Sequence, residues 1–187
     1  MVKVSIGMPV YNVAEYLSKC LDSIINQTFT DFEVIMVDDG STDGKSFEIC
    51  QEYTVRDKRF KLIHQKNGGR SAARNTALKN MAGEYITWID SDDWVEPNYL
   101  KILIDTQTRT GADLVNVGHK GYRDGNIYIA DYEHEFGKYP NYFIPLEAAI
   151  HDSFWTSLNL TPVWGSLGTR ELYNGVVFAE NFDMEDQ

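Results

Sequence analysis

Phe32-Glu33-Val34-Ile35-Met36-Val37-Asp38-Asp39-Gly40-Ser41-Thr42-Asp43 passes from a short apolar run straight into acids, a glycine and hydroxyls. The run from Phe32 to Val37 predicts a strand, and Asp38-Asp39-Gly40 predicts the turn that ends it. Ser41, Thr42 and Asp43 can cap a following helix, which should reach about Arg56 through its periodic Phe47, Ile49, Cys50 and Tyr53. A strand handing over to a helix in this way is one unit of a strand-helix repeat, and such repeats build a mostly parallel sheet.

The same unit recurs on both sides. Upstream, Val2 to Met8 reads as a strand ended by Pro9, and Tyr16, Leu17, Cys20, Leu21, Ile24 and Ile25 recur on one helical face. Downstream, Phe60 to His64 is a short strand, and Asn67-Gly68-Gly69 opens a helix from about Arg70 to Met81 that ends before Gly83. Tyr85 to Ile89 is a fourth strand, Pro97 begins a helix that Gly111 ends, and Leu114 to Val117 is a fifth strand. Beyond Gly118 the period weakens. Residues 121–144, with alternation at Ile127-Tyr128-Ile129, fit edge strands and loops around a binding face, Pro145 to Asp152 a short helix, and Leu172 another. The expectation is an α/β fold in a single domain over residues 1–187, with helices flanking a mostly parallel sheet and no internal repeat.

Composition narrows the function. Hydrophobic residues at 43% and charged residues at 24% are ordinary for a folded chain, while a net charge of -11 opposes binding to nucleic acid or anionic lipid. Many acids cluster, as Asp38-Asp39, Asp90-Ser91-Asp92-Asp93 and Glu185-Asp186, where a cation would relieve their repulsion. Cys20 and Cys50 both sit in helical pattern, which points to buried thiols in a reducing compartment, so the sequons at Asn26 and Asn159 carry no weight. No charged and apolar leader precedes the first strand, and no apolar run nears the roughly 20 residues that span a bilayer. A cytoplasmic location is expected.

Ligands of an open parallel sheet bind outside the carboxyl ends of its strands. Pro9-Val10-Tyr11-Asn12, Asp38-Asp39-Gly40-Ser41 and Asp90-Ser91-Asp92-Asp93 each follow a strand, so three segments should converge on one edge. Two carboxylates spaced by one residue can aim at one hard cation, which would bridge diphosphate oxygens; one of them as a helix cap is the plainer alternative. At Asp38-Asp39 one acid suffices for a turn or cap, and the second could accept the imide N–H of a base that stacks on Tyr11. Gly68 and Gly69 could turn backbone N–H groups and a positive helix end toward an anion, with Arg70 as counter-charge; a plain glycine loop is the alternative. Arg74 suits a structural salt bridge or a backbone contact. Gly40 to Ser46 is one residue short of a P-loop and carries Asp43 where phosphate would lie, and no G-x-G-x-x-G follows the first strand, which argues against nicotinamide and flavin cofactors.

With these motifs assembled, and with Pro162-Val163-Trp164-Gly165 and Glu185-Asp186 added, the chain resembles the family-2 group of inverting glycosyltransferases with the GT-A fold. The resemblance implies a nucleotide-sugar site of Pro9, Val10, Tyr11, Asn12, Asp39, Asn67, Arg70, Asp90 and Ser91. Within it Asp39 would read the base, Asp90 would face the ribose or a metal water, Asp92 would ligate the metal and Asp186 would be the general base. Residues 1–120 would form the nucleotide-sugar-binding half and 121–187 the acceptor side, expected to be incomplete because the chain stops at Gln187 just after the base. The implied cofactor is Mg²⁺ or Mn²⁺, favoured over zinc by oxygen-only ligands. The implied donor is a UDP- or dTDP-sugar and the acceptor a saccharide or lipid-linked saccharide, as in bacterial surface polysaccharide assembly. Peripheral association with the inner face of a membrane stays open. The rival readings are a sugar-phosphate nucleotidyltransferase, which would carry a basic glycine-rich loop after the first strand, and a non-catalytic nucleotide-sugar-binding module.

Overall fold

The computed structural model describes residues 2–118, 120–123, 126–129 and 163–180. β1 (Val4–Val10), β2 (Phe32–Asp38), β3 (Phe60–His64) and β4 (Tyr85–Trp88) are parallel, with α1 (Ala14–Ile25), α2 (Ser46–Arg56) and α3 (Arg70–Asn80) in the connections. α4 (Tyr99–Thr110) leads to β5 (Leu114–Asn116), and β6 (Lys120–Arg123) and β7 (Asn126–Ile129) form a separate hairpin. β8 (Ser166–Thr169) runs into a 3-10 turn at Arg170–Tyr173. The main sheet has the order β3-β2-β1-β4-β8-β5, with β8 antiparallel to both of its neighbours.

Both faces of the sheet are covered, which is why its strands read as continuous apolar runs. Val34 and Met36 point to one face, where Leu17, Leu21 and Ile24 of α1, Tyr53 of α2 and Leu100 and Leu103 of α4 pack on them. Ile35 and Val37 point to the other, where Ala73, Ala77 and Met81 come from α3 and its C-cap and meet Ile86 and Trp88. On that second face a Cβ at Gly7 would collide with the Met81 side chain and the Trp88 ring, so glycine is required by space.

Several boundaries move. β1 continues through Pro9 to Val10, because Pro9 falls on the side of the strand that faces β4 and β4 has already ended there: Gly7 pairs with Trp88, and the Gly7 carbonyl accepts from Ile89 N–H at 3.1 Å. The missing proline N–H therefore breaks no ladder bond. Tyr16, expected on the buried stripe of α1, is half exposed, whereas Leu17, Cys20, Leu21 and Ile24 are buried. α2 starts at Ser46, later than the Ser41–Asp43 caps imply, and α4 starts at Tyr99. Leu172 sits in the 3-10 turn, and β8 was not foreseen. Cys20 and Cys50 are free and buried as expected, and burial pushes the Cys50 thiol up to about 12. The expected helix at 145–152 and the loops of 131–144 lie outside the described residues. No helix among the described residues is long and apolar enough to cross a membrane.

Candidate functional site

Parallel register brings the carboxyl ends of three strands side by side, with Val10 opposite Asp38 and Asp38 opposite His64. Just past this edge Asn12 adopts a left-handed φ of 53°, a region that Asn tolerates better than most residues. Its side-chain oxygen accepts from Thr42 N–H at 2.7 Å and Asp43 N–H at 3.1 Å, so the loop after β1 holds the loop after β2. Asp43 then joins two helix starts, accepting from Lys45 and Ser46 N–H at 3.1 and 2.9 Å and from Ala14 N–H at 3.4 Å. Burial works against its ionised form, but hydrogen bonds from the Ser46 hydroxyl and from these N–H groups outweigh it and hold the carboxyl down to about 2.

The acids of β2 divide the work. Asp38 is wholly buried and accepts from His64 Nδ1 at 2.6 Å and from Ser41 N–H at 3.3 Å. Asp39, only 3% exposed, accepts from Gln65 Nε2 at 2.7 Å, from Gly68 N–H at 3.0 Å and from Gly69 N–H at 2.8 Å. The helix-start N–H groups expected to face a ligand anion are thus engaged by an anion of the protein itself. Gly40 makes the close approach possible: at φ 71°, a Cβ there would stand 2.9 Å from the Asn67 nitrogen.

The third segment, 90–93, is held from two directions. Arg74 of α3, buried, reaches Asp90 Oδ1 at 3.4 Å, as its expected structural role requires. From the other face of the sheet α1 lays a ladder along the stretch: the Cys20 thiol lies 3.5 Å from the Asp90 carbonyl, Ser23 Oγ accepts from Val95 N–H at 3.1 Å, and Gln27 Nε2 donates to the Glu96 carbonyl at 2.8 Å. Gln27 Oε1 also accepts from Leu100 N–H at 3.0 Å, so a residue of α1 satisfies the first turn of α4. Asp92 is exposed, and Asp93 keeps solvent contact while its carboxyl is partly covered. Partial burial first, and the nearby charges of Asp92 and Asp90 second, push the Asp93 carboxyl up to about 6.

Residues 163–165 come to the same end of the sheet, where Trp164 bridges to Trp88. Beyond the 3-10 turn the chain returns to α3: Asn75 accepts from Phe178 N–H at 2.8 Å through Oδ1, and its amide donates to the Phe178 carbonyl at 2.9 Å and to Glu180 Oε1 at 3.2 Å.

A family model described as glycosyl transferase family 2 matches residues 5–164, which contain every one of these strand-end segments. The chain belongs to glycosyl transferase family 2. It is 39% identical over 182 residues to glycosyltransferase GlyA of Streptococcus pneumoniae, covering 94% of this chain and 26% of that one. The crystal structure of Staphylococcus aureus TarS 1–349 in complex with UDP-GlcNAc superposes with a TM-score of 0.72 at 28% identity, over 99% of this chain and 51% of that one. The mannosyltransferase PcManGT of Pyrobaculum calidifontis, in complex with GDP-Man and Mn²⁺, superposes at a TM-score of 0.57 and 26% identity over 63% of this chain and 36% of that one. The GT-A arrangement expected from the sequence is the fold observed. This family-2 chain spans a quarter to about two fifths of the length of the first curated relatives it matches.

Within the family-2 frame the expected site residues fall into two groups. Tyr11 (46% exposed), Asn67, Arg70 and Asp92 are open to solvent at the carboxyl edge, Pro9 is half buried, and Asp90 keeps partial exposure. Val10, Asn12, Asp39 and Ser91 are committed to the protein. Val10 belongs to the core and its carbonyl accepts from Asp39 N–H at 2.9 Å, Ser91 is buried, and Asn12 and Asp39 spend their polar atoms on neighbouring loops. Asp186 lies outside the described residues. Sequence reasoning gave no role to Gln27, Gln65 or Asn75: Gln27 and Asn75 serve backbone groups far away in the chain, and Gln65 joins the side chains of Asp39 and Thr76, so no local pattern marks them.

Proposed function

We propose that this chain is the donor-binding and catalytic part of an enzyme that moves a sugar from a uridine or thymidine diphosphate carrier to a hydroxyl of a saccharide or lipid-linked saccharide, inverting the anomeric carbon. The observation that carries the reading is the assembly at one sheet edge of an exposed aromatic, Tyr11, and an exposed acidic turn at 90–93, in a family-2 chain similar to TarS with its bound UDP-GlcNAc.

A divalent cation suits the acidic turn. Mg²⁺ and Mn²⁺ take one or two carboxylates and complete their shell with substrate phosphates and water. Burial first, and then the nearby charges of Asp92 and Asp90, raise the Asp93 carboxyl, so the turn gathers negative charge that a bound cation would relieve. Among the described residues no three His, Cys, Asp or Glu side chains form a metal-holding group. Asp92 would hold the ion, and Asp90, steadied by Arg74, would face the ribose or a metal-bound water. When bound, the ion neutralises charge growing on the departing diphosphate. Tyr11 would stack on the base, Arg70 would lie against the phosphates, and Asp186 would take the acceptor proton. Asp39 already accepts from Gln65 Nε2 and from Gly68 and Gly69 N–H, so a base imide N–H would share a carboxylate that the protein itself uses.

The test is a thermal-shift series with UDP, dTDP and GDP, each with Mn²⁺ and with chelator. UDP or dTDP with Mn²⁺ should raise the melting temperature, and the rise should vanish with chelator and in Asp92→Ala. A melting temperature indifferent to every nucleotide would overturn the proposal.

A further inference from the structure

We infer that Gln65 and Thr76 are positioning residues for base recognition: together they hold the Asp39 carboxylate as an acceptor, so that the donor site takes a base with a ring N–H, as uracil has, over one with a bare ring nitrogen, as cytosine has. The inference deepens the donor-site reading above and rests on it. Its basis is a relay of three side chains. The Thr76 hydroxyl of α3 donates to Gln65 Oε1 at 2.6 Å, and Gln65 Nε2 donates to Asp39 Oδ1 at 2.7 Å. The Gln65 backbone is fixed separately, its N–H donating to the Asp38 carbonyl at 3.0 Å, in line with the β2–β3 ladder. A carboxylate can only accept, so the amide nitrogen must face Asp39 and the amide oxygen must face α3. The Thr76 hydroxyl supplies the donor that makes this orientation of Gln65 the stable one.

Among the described residues every group hydrogen-bonded to the Asp39 carboxylate is a donor. Besides Gln65, Gly68 N–H lies 3.0 Å from Oδ1 and 3.2 Å from Oδ2, and Gly69 N–H lies 2.8 Å from Oδ2. A carboxylate offers about four lone-pair sites, so these donors leave about one for a ligand, and only another donor can use it. Uracil and thymine bring an N–H to that position. Cytosine is of the same size but sets an acceptor against the acceptor. The glycine donors are backbone groups fixed by the start of α3, whereas the aim of Gln65, and with it that of Oδ1, depends on Thr76.

Thr76→Val keeps the shape and removes the hydroxyl, while Thr76→Ser keeps the hydroxyl. Valine, threonine and serine have similar helix propensities, so α3 itself is not weakened. The parent, both Thr76 variants and Gln65→Ala are titrated with UDP and with CDP, each with Mn²⁺. The parent should prefer UDP by about 10-fold or more. Thr76→Val and Gln65→Ala should lose about 10-fold in UDP affinity and nothing in CDP affinity, and Thr76→Ser should keep the parent values. In an Asp39→Ala background Thr76→Val should cost UDP nothing further, because its effect runs through that carboxylate. A general loosening of the loops would instead weaken both nucleotides, which share ribose, diphosphate and metal. Equal losses of UDP and CDP, unchanged UDP affinity in Thr76→Val or Gln65→Ala, a Thr76→Ser variant no better than Thr76→Val, or a parent that holds CDP as tightly as UDP would overturn the inference and leave the donor site standing. A parent that binds neither nucleotide would overturn the donor-site reading, and the inference with it.

Discussion

Asp39 Oδ2 accepts a hydrogen bond from Gly69 N–H at 2.8 Å, so an acid at the end of β2 closes the start of α3. The interaction replaces a ligand anion with a side chain and ties the loop after β3 to the loop after β2. Replacing Asp39 with Ala leaves Gly68 and Gly69 N–H without that acceptor. The expected loss is about 1–3 kcal/mol in urea unfolding, together with weaker UDP binding. Asp39→Asn, which keeps one oxygen, should fall between the two.

The raised carboxyl of Asp93 predicts a pH effect in chelator. Its unfolded value is near 3.8 and its folded value about 6, so the native state holds the proton more tightly. Stability should be greatest below about pH 4 on this account and decline as pH rises through 6. Because the side chain keeps solvent contact, the change should stay below about 1 kcal/mol. Urea midpoints at pH 5 and 7.5 should converge in Asp93→Asn, and Mn²⁺ with UDP should flatten the difference in the parent.

Gln27→Ala tests whether α1 carries the acidic stretch. The substitution leaves the Leu100 N–H and the Glu96 carbonyl, bonded at 3.0 and 2.8 Å, without their partner. A loss of about 1–3 kcal/mol is expected, with faster hydrogen exchange at Leu100 and no change in β2.

Gly7→Ala should be destabilising by about 1–3 kcal/mol, because the added methyl meets Met81 and Trp88, both buried. Differential scanning calorimetry of the variant should show a lower melting temperature, and Met81→Ala in the same chain should restore part of it by vacating space.

The parallel half of the fold was readable because burial on both faces writes itself as apolar runs: Phe32 to Val37 and Tyr85 to Trp88 are strands as expected. β8 was not, since Ser166-Leu167-Gly168-Thr169 offers one large apolar side chain and lies between β4 and β5 only through tertiary pairing. The start of α4, read at Pro97 but observed at Tyr99, was misplaced for a related reason. Asn98 makes no side-chain cap for α4, and the acceptor comes from Gln27, more than a helix away in sequence. In the candidate site the exposed residues Tyr11, Arg70 and Asp92 stand at the expected edge, but Asp39 looks the same in sequence whether it serves a base or two glycine N–H groups. Only the position of Gly68 and Gly69 distinguishes these, and that is set by the close pass of Gly40.

β5 is synthesised long before the strand it pairs with. Residues 114–116 leave the ribosome some fifty positions ahead of 166–169, and until β8 inserts, both β5 and the outer side of Tyr85–Trp88 stand as open edges. Unpaired edges recruit foreign strands. A nascent or proteolysed chain ending before Ser166 should therefore self-associate through β4, while one reaching Arg170 has that edge sealed.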